Sequence, residues 1–286
     1  MNTLSLPRVG SMVLTIDSRI ELMSGHTMPL LGFGVYQNYT TRASVLEALQ
    51  AGYRHVDSAQ AYRNETAVGE AVRDSGIDRS ELFITTKCIS KNHGYESTLK
   101  GVEESLAKFG FEYIDLFLIH DPFSGTERRL ATYRALQDAR SAGKIRSVGV
   151  SNYGIKHLEE IANAKYDMPA VNQIELHPFC QQRPIVDYCR EHSIVVQAYC
   201  PIIRGKMDNP IIQTIAQNHG RDAAQVLLRW SLQKGFVPLP KSATPQRIRS
   251  NAQVYDFELE PEEMVQLDGL DRGAEGCISW NPVDAP

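Results

Sequence analysis

Four residues of this chain stand where side chains can move or steer protons: Asp57, Tyr62, Lys87 and His120. A carboxylate, a phenol, an ammonium and an imidazole together suit general acid–base work, in which a positioned group gives or takes a proton as a bond changes. Asp57, Lys87 and His120 each lie at the end of a short apolar run, and Tyr62 follows Asp57 by five residues. Taken singly, an Asp or Lys ending a strand is a cap or a solvated charge, and a lone His there is a satisfied structural residue. All four falling on the same side of successive runs is what sets them apart.

The elements that must position them repeat along the chain. Eight runs rich in β-branched and aromatic residues read as strands: 30–36, 54–59, 82–87, 113–120, 145–151, 170–176, 194–200 and 236–241. Between them lie stretches of helical period, such as SVLEALQAG, STLKGVEESLAKFG and AAQVLLRWSLQKG, several ending in a glycine that stops a helix. The strand runs are apolar almost throughout, as parallel strands covered on both faces are. Eight such units in 286 residues predict an α/β chain folded as a single (β/α)8 TIM barrel. A hairpin at about 12–28, turning near Ser24 and Gly25, would plug the barrel's bottom, with the barrel at about 29–271 and a tail at 272–286. Barrel active sites form at the C-terminal ends of the strands, which is where Asp57, Lys87 and His120 fall.

Composition narrows the function classes. The net charge is −4 with both signs mixed along the chain, which argues against a nucleic-acid or anionic-membrane partner. No apolar run approaches the roughly 20 residues of a membrane span, and the first 22 residues do not read as a signal peptide. Five cysteines, with no C-x-x-C pair, suit reduced and buried thiols rather than a disulfide framework. The expected compartment is the cytoplasm, and the expected state is a monomer, with a dimer as the alternative.

Six segments then carry a resemblance. GYRHVDSAQAYRNE, TTK and LIHDP are similar to the catalytic segments of the aldo-keto reductases, and GVSNY, VNQIELHP and PLPKSATPQRI to that family's cofactor segments. The likeness runs from about Leu30 to Asp271 in matching order. It implies that Asp57, Tyr62, Lys87 and His120 are a catalytic tetrad for reducing a carbonyl with a nicotinamide hydride. Elementary chemistry fits those roles. A free phenol, with pKa near 10, is a weak acid at neutral pH. An ammonium at Lys87 would lower that value, Asp57 would hold the lysine charged, and His120 would orient the carbonyl oxygen by a hydrogen bond.

No G-x-G-x-x-G follows a strand, and GFGVYQ lacks the third glycine, so the dinucleotide is not held by a Rossmann turn. The resemblance implies instead that Ser151, Asn152 and Gln173 bond the nicotinamide carboxamide and that Tyr199 stacks on its ring. It likewise implies that Lys241, Ser242, Thr244 and Arg247 hold the 2′-phosphate and Asn251 the adenine. Two cations and two hydroxyls suit a dianion, so NADPH/NADP+ is expected over NAD(H). Ser250 stands where many relatives carry a glutamate. The resemblance places Tyr36, Tyr62, His120, Asp121 and Trp280 around a small-molecule carbonyl substrate. Asp121, Ile89 and Tyr36 replace residues that are often tryptophan, which predicts a pocket suited to polar or branched ketones and ketoesters. Phe123, Tyr95 or Trp280 could refill that space.

No metal is expected, since the eight histidines are scattered and His177 has no matched partner. Two further alternatives are a cofactor-sensing or partner-binding barrel without catalysis, and an alcohol dehydrogenase that runs the same chemistry in the oxidative direction.

Overall fold

The computed structural model describes residues 13–286; most of the opening stretch read above for a leader lies outside them. Eight strands form one parallel sheet: β3 (Phe33–Gly34), β4 (His55–Asp57), β5 (Phe83–Cys88), β6 (Ile114–Ile119), β7 (Ile145–Ser151), β8 (Val171–Glu175), β9 (Val195–Tyr199) and β10 (Val237–Pro238). They neighbour one another in chain order. The ends of that order meet, because Gly32 N donates to Pro238 O (3.1 Å) and Gly34 N to Pro240 O (3.0 Å). The approach requires glycine: a Cβ on Gly32 would lie 2.5 Å from Leu239 Cδ2 and 2.7 Å from His55 Nδ1. The sheet therefore closes into the expected (β/α)8 barrel.

Helices alternate with the strands: α1 (Thr41–Gln50), α2 (Glu65–Asp74), α3 (Tyr95–Phe109), α4 (Thr126–Ser141), α5 (Ile155–Asn163) and α6 (Arg183–Glu191). Two helices, α7 (Pro210–His219) and α8 (Ala223–Gln233), fill the β9–β10 connection, where only the second was read from the sequence. After β10 come α9 (Pro245–Ala252) and α10 (Pro261–Asp268). The expected glycine stop is seen on α3, where Gly110 at φ 70° donates its N–H to Leu106 O.

Side chains alternate across each strand, and this sorts the molecule into layers. Outward residues such as Ile84, Phe117, Val150, Ile174 and Val196 join the helices in the main apolar core. Inward residues Phe83, Leu116, Val171, Val195 and Val237 close the barrel floor. The same inward parity, continued up the strands, reaches Lys87 on β5, Gln173 on β8 and Gln197 on β9. The floor is sealed from below by the predicted hairpin, β1 (Arg19–Glu21) with β2 (Thr27–Pro29). Its Leu22 and Met28 pack into that apolar floor, each burial contributing roughly 1.5–3 kcal/mol. Chemistry is thereby confined to the other end.

One expectation is corrected. Cys180 and Cys277 are bonded as a disulfide, whereas Cys88, Cys189 and Cys200 are free thiols. Ninety-seven residues separate the pair in sequence, and only the return of the tail brings their Cα atoms to 5.3 Å. No local spacing could have signalled it.

Candidate active site

Neighbouring strands set the central contact. β4 and β5 pair with Asp57 opposite Thr85, which places Lys87 one inward step higher than Asp57 on the adjoining strand. Lys87 is fully buried, and its Nζ donates to Asp57 Oδ1 (2.6 Å), Ser58 O (2.9 Å) and Tyr62 Oη (3.4 Å). Tyr62 sits on a single 3-10 turn, Gln60–Tyr62, which Arg63 ends in the left-handed region at φ 57°. That turn is pinned on both sides. Gln60 donates to Gly101 O and accepts from Ile89 N, and Asn64 accepts from Ser58 and donates to Val35 O. His120, one residue past β6, packs edge-to-face with Tyr62, the ring centroids 5.7 Å apart and the planes at 74°. The four residues singled out in the sequence thus meet at one place.

Burial governs their protonation. It pushes the Lys87 ammonium below its ordinary range, and Asp57 opposes that shift. Burial also pushes the Tyr62 phenol well above its ordinary value, with the Asp57 charge adding to the rise. This reverses the expectation that Lys87 would lower it. The reason is burial first, with the Asp57 charge second, and the Lys87 ammonium that stands 3.4 Å from the phenol does not overcome them. Tyr62 is therefore a protonated phenol at neutral pH. His120 is pushed down to about 3 by burial first and then by Lys87, so it is a neutral imidazole.

Asp57 has a second support that the sequence did not disclose. Gln173 Nε2 donates to Asp57 Oδ2 (2.8 Å) and to Gln197 Oε1 (2.8 Å), its register partner on β9. Both amide hydrogens are thereby committed inward, and Gln173 Oε1 is turned away from that pair. Gln197 could have been found from its inward parity, since a buried amide in an apolar strand needs a polar partner.

The residues assigned to a nicotinamide lie beside this centre. Asn152, at φ 61°, donates to His120 O (3.0 Å) and accepts from Tyr199 Oη (2.8 Å), and Ser151 Oγ donates to Gln173 O (2.8 Å). Those assigned to a phosphate gather at the start of α9. Lys241, Thr244 and Arg247 are exposed, and no carboxylate pairs with either cation among the described residues. Thr244, the residue before the helix, caps it with no side-chain bond, so the backbone N–H groups there face outward with the positive end of the helix dipole. Ser242 and Asn251 are buried just behind.

The substrate-side residues divide. Tyr36 lies 5.0 Å from the Tyr62 ring, and Trp280 lies 6.1 Å from the His120 ring and 5.5 Å from Phe123. Asp121 does not join them. It is 2% exposed, and its carboxylate accepts from Ser90 Oγ and Phe123 N, fastening the loop behind the rim. Tyr95 is also turned away, toward Asp138. Trp280 stands against His120, and Phe123 packs against Trp280 in turn, so the wall beside His120 is aromatic.

With the geometry in hand, comparison with known proteins is direct. A family model described as the aldo/keto reductase family matches residues 31–272. This chain belongs to the aldo-keto reductase family. It is similar to the glyoxal reductase of Bacillus subtilis, with 41% identity over 266 residues covering 91% of this chain and 95% of that protein. It is 42% identical over 281 residues to the morphine 6-dehydrogenase of Pseudomonas putida, covering 93% and 94% of the two chains. Among solved structures, a Bombyx mori aldo-keto reductase in complex with NADP superposes with a TM-score of 0.87 at 32% identity, covering 96% of this chain and 99% of that one. Members of this family are oxidoreductases that use nicotinamide cofactors and act on small molecules.

The buried histidines make stability pH-dependent. His55 and His120 are both held down to about 3 by burial, against an unfolded value near 6.5. Between those values the unfolded chain binds more protons than the folded one, so stability rises with pH and is complete above about 6.5. The thermal midpoint is expected to fall from pH 7 to pH 5, and less so in His55→Gln. Parallel falls in the two proteins would show that His55 does not contribute.

Proposed function

We propose that this protein reduces the carbonyl of an aldehyde, ketone or ketoester to the alcohol with NADPH, and that Tyr62 is the general acid. The observation that carries this is the Lys87 ammonium, held between Asp57 and Tyr62 at 2.6 Å and 3.4 Å with His120 alongside. A carbonyl oxygen received between the Tyr62 hydroxyl and a His120 N–H is fixed in direction and polarised. As that oxygen gains charge, Tyr62 passes it the phenolic proton. The phenolate left behind faces Lys87, and Asp57 keeps that lysine in place and charged. Neutral His120 donates a hydrogen bond without competing for the proton.

The residues present fit NADPH. Gln173 Oε1, fixed outward by the two inward bonds of its amide, suits a carboxamide donor together with Ser151 and Asn152. Tyr199 is half-buried beside Asn152 and suits the ring. At α9 the unpaired Lys241 and Arg247, with Ser242, Thr244 and the free helix N–H groups, suit a phosphate dianion, and Asn251 suits the adenine. Bound there, NADPH supplies the hydride that reduces the carbonyl carbon.

Two measurements test this. Tyr62→Phe is expected to bind NADPH as the wild type does and to lose turnover by about 10²-fold or more. Retention of near-wild-type turnover would remove Tyr62 from the mechanism. The wild-type kcat/KM with NADPH is expected to exceed that with NADH by at least about tenfold, the 2′-phosphate contacts contributing 1.4 kcal/mol or more; equal values would contradict the phosphate assignment.

A further inference from the structure

The barrel does not complete its own mouth. After α10 the chain returns across the rim, and its fastenings are concentrated just before Trp280. Arg272 N donates to Phe179 O (2.9 Å), and Cys277 is bonded to Cys180. The next two backbone N–H groups, of Ile278 and Ser279, donate to Glu175 Oε1 (2.6 Å) and Oε2 (3.0 Å). Arg204 donates to Ser279 Oγ (3.2 Å), and the Tyr199 hydroxyl shares its one hydrogen between Trp280 O (2.9 Å) and Asn152 Oδ1 (2.8 Å). Beyond Trp280 the tail is held again, with His157 donating to Ala285 O and Arg129 to Pro286 O.

Glu175 is the least expected of these groups. It is fully buried and ends β8, two residues beyond Gln173 and opposite Tyr199 in register. A buried carboxylate is costly unless its oxygens are bonded, and here each oxygen receives one N–H of the tail, with His177 Nε2 also donating to Oε1 (3.0 Å). Its bonds go to the tail and not to the tetrad. The strand pairing that sets Gln173 on the cofactor side therefore also sets Glu175 as a fork for the tail and Tyr199 as the bolt on Trp280.

We propose that Glu175 is a positioning residue for substrate recognition: it clasps the tail so that Trp280 stands against His120, and the wall so formed selects carbonyl compounds bearing a flat apolar or aromatic group. The selectivity rests on the carbonyl-reductase function proposed above; the clasp does not, and a readout independent of activity tests it. Trp230 and Trp280 are the two tryptophans of the chain, at 1% and 44% exposure, so quenching of tryptophan emission by acrylamide reports mainly on Trp280. Glu175→Gln replaces one acceptor oxygen of the fork by an NH2 that faces an N–H. It is expected to raise the quenching constant at temperatures where circular dichroism is that of the wild type. Unchanged quenching in the folded variant would overturn the clasp.

For selectivity, KM and kcat are measured with 4-nitrobenzaldehyde and with methylglyoxal. Glu175→Gln is expected to raise KM for the aromatic aldehyde about tenfold, with methylglyoxal KM and NADPH affinity within about threefold of wild type. Trp280→Ala is expected to do the same, and adding Glu175→Gln to it should bring no further rise. An equal loss for both substrates, or a full additional loss in the double variant, would mean that Glu175 acts on the fold at large. Should Glu175→Gln not fold, Ser279→Pro removes one N–H of the fork from the tail's side and is expected to give the same quenching and KM pattern; neither change appearing would overturn the proposal. A wild type that reduces neither aldehyde counts against the proposed function, and the quenching result then decides the clasp alone.

Discussion

The buried Lys87–Asp57 pair is the contact on which the rest of the site depends. Enclosing a lysine completely costs several kcal/mol, and the attraction to one carboxylate offsets this only when the remaining donors and acceptors are bonded too. Each of those bonds comes from a different element. Ser58 O comes from the residue after β4, Tyr62 from the turn beyond it, and Gln173 and Gln197 from strands across the barrel. The pair is therefore only as well placed as the barrel is closed, which ties the glycines at the β3–β10 seam to the chemistry. It also explains why the hairpin seals the opposite end. Leu22 and Met28 fill the floor there, where the few polar inward groups are bonded to one another or to the hairpin, His55 to Thr85 and Ser147 to Ser24.

Much of this was legible in the sequence because it is local. Short, almost continuous apolar runs give the strands, and glycine gives the helix stops. The ends of the runs give Asp57, Lys87 and His120. What escaped depends on contacts between distant segments. The Cys180–Cys277 bond, the fork of Glu175 and the Gln173–Gln197 pair all join residues that the fold alone brings together. Asp121 was misplaced for a related reason: its position after His120 suggests the rim, but its carboxylate is satisfied by Ser90 and the Phe123 N–H behind it. The direction of the Tyr62 shift was misjudged because spacing shows that a cation is near a phenol without showing how completely the fold buries that phenol.

Function is divided among loops on one rim. On the function proposed above, the ends of β4, β5 and β6 carry the proton chemistry, β7 to β9 the nicotinamide side and the β10–α9 junction the phosphate side, while the tail contributes the substrate wall. Since β8 supplies Gln173 to one region and Glu175 to another, cofactor and tail are anchored by a single strand. This arrangement lets the substrate wall vary without disturbing the acid.

The most direct measurement is turnover by Lys87→Met, with NADPH affinity determined on the same sample. If the ammonium supports Tyr62 as acid, kcat falls by about 10²-fold or more at neutral pH while NADPH affinity stays within about threefold. Turnover within about tenfold of wild type would contradict a mechanism that rests on Lys87.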